Sequence, residues 1–210
     1  MLRKSRYLTR GFTLVELLVV ITIICILASL LLPALFSVFD SGRKKTCQVE
    51  IQQLEAAISI YEEVYRDFPP SSLKNIGLLQ NNQINEGIET LVLCLSSTHN
   101  NASYFEFKDQ QLQNTDLDVS PVSLNKLTGS IFKNDDLFEI IDPWGNPYIY
   151  FHNSQLLDTT NVSYMIHGEE KKITPYMKRS KTGNIAGYSK YQIISCSSNG
   201  IQDEDDVMNQ

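Results

Sequence analysis

The chain of 210 residues contains no motif that marks a well-known active site. It lacks a phosphate-binding glycine-rich loop, a Gly-x-Ser-x-Gly elbow and a Cys-x-x-Cys pair. Those absences remove the best-marked routes to nucleotide, acyl-transfer and thiol-redox chemistry. Histidine is scarce, and His99, His152 and His167 stand at no metal-ligand spacing. Asp135-Asp136 and Glu169-Glu170 read as solvated loop charges rather than acid–base pairs. An enzyme is therefore not expected. A cationic excess is also missing, since 18 Lys and Arg face 24 Asp and Glu for a formal net charge of −6. Binding to a phosphate backbone needs clustered Lys and Arg, so nucleic acid is not an expected partner. No fixed-period repeat is present. The most telling absence is local: the 23 residues from Leu17 to Phe39 carry no charge.

At about 1.5 Å per residue such a run spans roughly 35 Å as a helix, enough for a hydrocarbon core of about 30 Å. Arg3, Lys4, Arg6 and Arg10 precede it and Asp40 follows it. That asymmetry predicts a cytoplasmic N-terminus and an exported remainder. An ordinary secretory signal is cut after its apolar stretch. The candidate cut here, after Gly11, lies before it, so the helix stays in the mature chain. The reading divides the sequence into a leader (1–11), a membrane or filament-core helix (12–39) and an exported domain (40–210). Loss of the leader takes four cations from the charge of −6 and leaves −10. Glu16 stands at the threshold of the run, where a carboxylate fits lipid poorly and asks for a cationic partner. Cleavage before Phe12 creates an α-amino group a few residues away, able to pair with Glu16 of a neighbouring subunit. The bland alternative is a plain signal anchor with an incidental interfacial Glu.

Gly11-Phe12-Thr13-Leu14-Val15-Glu16, followed by an apolar helix containing Pro33, resembles the class III signal of type IV prepilins and type II secretion pseudopilins. The resemblance implies that a membrane prepilin peptidase cuts between Gly11 and Phe12 and that the new Phe12 amine is N-methylated. It implies that Glu16 is the acid that sets subunit docking and that Pro33 is the helix-kinking proline. It also implies a homopolymer, or one mixed with other pilins or pseudopilins, built on an inner-membrane assembly platform and ending as a periplasmic or extracellular filament. A binding pilin, recognising DNA, a host surface or a partner, is the other reading of the same scaffold. Its support is the basic stretch Lys171, Lys172, Lys178, Arg179 and Lys181, which otherwise reads as hydrated surface or as a contact for an acidic tail on another subunit.

Beyond the run, Cys47, Ile51, Leu54, Ile58, Tyr61 and Tyr65 alternate by four and three residues, predicting one apolar stripe on a helix over 40–67. Asp67-Phe68-Pro69-Pro70 stops that helix. A variable region (71–141) holds a short connector, an Asn-rich loop and a second helix near Ile88–Leu95. Tyr104-Phe105-Glu106-Phe107 is expected as a strand, and 123–132 as helix or loop. Asp142-Pro143-Trp144-Gly145-Asn146-Pro147 imposes turns. The runs Tyr148–Phe151, Tyr164–Ile166 and Tyr191–Ser195 are aromatic and β-branched, predicting an antiparallel sheet over 142–210. The expected fold is α+β and pilin-like: a long N-terminal helix with its apolar half protruding and its amphipathic half packed on a small sheet. The Asp142–Tyr148 segment resembles the opening of the sheet in major pseudopilins. In an exported domain Cys94 and Cys196 either form a bridge or stay as two buried thiols.

Between Ser195 and Asp206 lies the only constellation of oxygen ligands legible in the sequence. Calcium takes six to eight oxygens in flexible loops, and Asn199-Gly200 allows a sharp turn before the acids. The tail resembles the calcium loop that ends major pseudopilins. By that resemblance Asn199, Asp203, Asp205 and Asp206 are the candidate calcium ligands. The alternative is a solvated, frayed acidic terminus.

Overall fold

A computed structural model describes residues 12–78, 82–99, 102–121, 123–124, 135–156, 161–176 and 190–209. The chain divides into two units at Gly42/Arg43. In the first, the helix α1 (Leu14–Tyr65) begins. Its apolar run has no core of its own: Val20 is 44% exposed and Leu30 71%. It is long and apolar enough to cross a membrane, and none of its most apolar window is buried. The helix runs through Pro33 without interruption.

The second unit is built on the remainder of α1. Cys47, Ile51, Leu54, Ala57, Ile58 and Tyr61 are buried along one stripe, as the four-and-three spacing predicts. Tyr65 departs from that prediction and is 53% exposed. The helix ends there, and its ring finishes against Tyr61 at 4.4 Å rather than in the core. A short 3-10 turn (Leu73–Ile76) leads to α2 (Glu86–Ser96), whose residues from Gly87 onward are buried. Asn85 starts α2 in the left-handed region at φ 57°, which Asn tolerates better than most residues.

The strands are short: β1 (Thr98–His99) pairs with β2 (Ala102–Ser103), and β3 (Leu112–Gln113) with β4 (Glu139–Ile140). Tyr104–Phe107, expected as a strand, has no ladder partner. Tyr104 and Phe107 turn into the core while Phe105 N donates to Leu95 O at 3.0 Å. The main sheet is β5 (Ile149–His152), β8 (Tyr191–Ser195) and β9 (Val207–Met208), all antiparallel. The expected Tyr164 strand lies elsewhere, in a separate hairpin of β6 (Val162–Ile166) and β7 (Glu169–Ile173). The sheet's third strand is the acidic tail's own end, so the tail is not frayed. Residues 125–132 of the segment expected as helix or loop fall outside the described residues.

Sheet and helix meet through tyrosines. The Tyr148 hydroxyl, fully buried, donates to Glu50 Oε2 at 2.7 Å, with Cys47 Sγ at 3.4 Å. Tyr150 donates to Pro69 O at 2.6 Å, fixing the chain just after α1. Asp142 locks the turn before β5: Oδ1 accepts from Trp144 N and Asn146 N, both at 2.9 Å, and Oδ2 from the Ser195 hydroxyl at 2.6 Å. Trp144 is half-buried against the core. Cys94 on α2 and Cys196 after β8 are both buried free thiols, so the bridge is not formed. Burial pushes each thiol up to about 12, away from thiolate reactivity.

Candidate functional site

Thr13 and Glu16 open α1 as a reciprocal pair. Glu16 N donates to Thr13 Oγ1 at 3.2 Å, while Thr13 N and its hydroxyl donate to Glu16 Oε2 at 2.9 and 2.7 Å. This is a capping box, two orphan donors of a helix start satisfied by each other's side chains. Both residues are exposed, as is Phe12 at 72%. Glu16 Oε1 has no hydrogen-bond partner among the described residues. Glu16 thus combines a local role, starting the helix, with an oxygen still open to a second donor. Gly11 and the leader cations fall outside the described residues. Pro33 is placed inside α1, seventeen residues after Glu16.

The C-terminal loop brings the four candidate calcium ligands into one turn between β8 and β9. Asn199 Nδ2 donates to Asp203 Oδ2 at 2.8 Å, and Asp205 N to Asp203 Oδ1 at 2.8 Å. The Tyr176 hydroxyl lies 2.6 Å from Asp206 Oδ2 and 2.7 Å from Asp203 O. Asp206 Oδ1 is buried with no hydrogen-bond partner, and burial pushes the Asp206 carboxyl up to about 6. An unpartnered buried oxygen in an all-oxygen donor set fits a hard cation. Asp205 instead reaches out of the turn, 3.5 Å from Lys44 Nζ. Lys171 Nζ donates to Gly200 O at 2.9 Å. Two lysines therefore already touch the tail of their own chain. Lys178, Arg179 and Lys181 lie outside the described residues.

Comparison with known proteins bears on the amino-terminal geometry first. The family described as the prokaryotic N-terminal methylation motif matches residues 7–32, which contain Phe12, Thr13 and Glu16. Type II secretion system core protein G of Escherichia coli (strain K12) is 35% identical over 83 residues, covering 40% of this chain and 48% of that protein. The protein of the same name from Pectobacterium carotovorum subsp. carotovorum is 39% identical over 59 residues, 28% of this chain and 38% of its own length. The chain is thus similar to these core G proteins over part of its length, and its N-terminal segment matches the methylation motif. It spans about half the length, or less, of these relatives, and no solved structure matches it.

Two features of the chain go beyond the expectations drawn from its sequence. Thr13-x-x-Glu16 is a capping-box signature before an apolar run, legible from its spacing. The other carries no local signal. Among the described residues, the acids whose ligand atoms all lie within 4.8 Å of one another are Glu89, Asp116 and Glu139. They come from α2, from the loop after β3, and from β4. The tail is therefore not the only constellation of oxygens in the molecule. Glu89 and Glu139 are 1% and 0% exposed. Burial pushes Glu89 well above the usual carboxylate range, Glu139 up to about 8 and neighbouring Asp118 up to about 7.

Proposed function

We propose that the chain is a structural subunit of a type II secretion pseudopilus or a related type IV pilus-like filament. It enters the inner membrane as a prepilin, N-terminus cytoplasmic and globular domain outside. It is cut after Gly11 and methylated on Phe12 by a prepilin peptidase/methylase, and polymerises with like subunits on an assembly platform. The observation that carries this reading is an unburied apolar helix opened by an acid inside a matched methylation motif.

The chemistry follows from the helix start. Membrane helices gain little by associating with one another, because lipid tails are as apolar as leucine. Close packing in a filament core and a charge pair at its rim replace the lipid contacts. Glu16 Oε2 is held by Thr13, so the carboxylate is already oriented, with Oε1 left to accept the Phe12 ammonium of the next subunit. An oriented carboxylate and an ammonium form a charge-assisted hydrogen bond stronger than a neutral one. Because each subunit receives at one end and donates at the other, the contact does not close and a fibre results. Glu16→Ala is expected to abolish filaments, seen by electron microscopy of sheared cells, while membrane levels of the subunit persist. Normal filaments from that variant would remove the pairing mechanism.

The C-terminal turn is proposed to hold calcium through Asp203, Asp206 and the Asn199 amide oxygen, with Asp205 leaving Lys44 to complete the set, tying β9 to β8. A ligand that binds only the folded state raises its melting temperature. Asp206→Asn is expected to shrink the calcium-dependent rise in Tm. An unchanged rise would exclude the turn as a calcium site.

A further inference from the structure

The buried acids of α2, the 114–118 loop and β4 form a second constellation, separate from the amino-terminal signal and from the C-terminal turn. Three segments deliver them. Glu89 lies in the first turn of α2. Asp116 is in the loop after β3, where Asn82 Nδ2 donates to its Oδ2 at 3.0 Å. Glu139 opens β4, its Oε1 accepting from Asn85 Nδ2 at 3.0 Å and its Oε2 from Thr115 N at 2.8 Å. These neutral donors orient the carboxylates without cancelling their charge. No Lys, Arg or His pairs with Glu89, Asp116, Asp118 or Glu139 among the described residues.

Glu89 is the observation that points to a ligand. Its side chain is 1% exposed, and Oε1 has no hydrogen-bond donor beside it among the described residues. Asp116 Oδ1, within the same group, is also buried and unpartnered. A buried carboxylate without a partner costs several kcal/mol, by order of magnitude. Apolar residues of similar size would avoid that cost, yet three separate segments bring acids to one point. The ligand atoms lie within 4.8 Å of one another, close enough to surround a single calcium ion, since ligand distances of about 2.3–2.6 Å place oxygens on opposite sides roughly 5 Å apart. Magnesium, at about 2.0–2.1 Å, asks for a tighter octahedron and gives up its waters reluctantly.

We propose that Glu89, Asp116 and Glu139 form a buried calcium site that ties α2, the 114–118 loop and β4 together. The cation offsets two of the three carboxylate charges and coordinates the unpartnered oxygens of Glu89 and Asp116.

The test uses the full chain in detergent micelles, stripped with EGTA and titrated with calcium alone, with bound metal read by equilibrium dialysis. The C-terminal turn is disabled by Asp203→Asn with Asp206→Asn. That variant is expected to retain about one calcium per chain and a calcium-dependent rise in Tm. Adding Glu89→Gln, which keeps the shape of the side chain, is expected to abolish both. In the chain with an intact tail, Asp116→Asn is expected to lower bound calcium by about one per chain. This half-buried position tolerates change if Glu89→Gln does not fold. Two results would overturn the proposal: no calcium bound once the turn is disabled, or binding untouched by Glu89→Gln and Asp116→Asn. The first leaves a tail site only, and the filament assignment stands either way.

Discussion

Glu16 is asked to do two things, and a single substitution separates them. Glutamine serves a capping box as glutamate does, so Glu16→Gln should leave the start of α1 intact while deleting the charge. Filaments are expected to be lost in Glu16→Gln much as in Glu16→Ala. Filaments at the normal level in Glu16→Gln would mean that the acid serves only the helix start. Gly87 makes a different demand. It sits in the first turn of α2, where an added Cβ would collide with the Tyr150 carbonyl oxygen and stand 2.6 Å from the Tyr164 hydroxyl. That hydroxyl accepts from Tyr150 N at 3.0 Å, so it cannot simply swing away. Gly87→Ala gains helix propensity but is expected to cost a net ~1–3 kcal/mol through overpacking, lowering the Tm in a thermal melt followed by circular dichroism.

The long helix changes its surroundings along its length, and substitutions should report that change. Leu54 is fully buried on the stripe, whereas Tyr65, in phase with it, is half-exposed. Leu54→Ala should destabilise the domain by about 2–5 kcal/mol, and Tyr65→Ala by under about 1 kcal/mol, both measured by urea unfolding. Equal costs would mean that the stripe does not end at Tyr61. The amphipathic half of α1 was legible because one face repeats with the helical period, whereas α2 is buried on every side from Gly87 onward and shows only as an apolar run. Strands two to five residues long carry less signal. Tyr104–Phe107 is rich in aromatics like a strand because its aromatic residues pack on the core from a loop, and Tyr164 went to a hairpin because pairing partners are set by tertiary contacts. The Thr13–Glu16 pair could have been read from its spacing. The Glu89–Asp116–Glu139 group could not, since each acid alone looks like an ordinary surface charge and only folding brings the three segments together.

At the scale of the whole molecule, the chain joins an apolar helix, exposed among the described residues, to a domain with its own core. That combination makes sense when the helix exchanges one apolar environment, lipid, for another, the packed helices of its neighbours. The proposed filament role requires that the helix survive maturation and that cleavage fall on its N-terminal side. Mass spectrometry of the amino terminus of the protein isolated from its own cells tests this most directly. The account predicts a chain that begins at an N-methylated Phe12 and retains the apolar run from Leu17 to Phe39. A mature chain that begins at Met1, or one cut after Phe39 so that the helix is discarded, would contradict it.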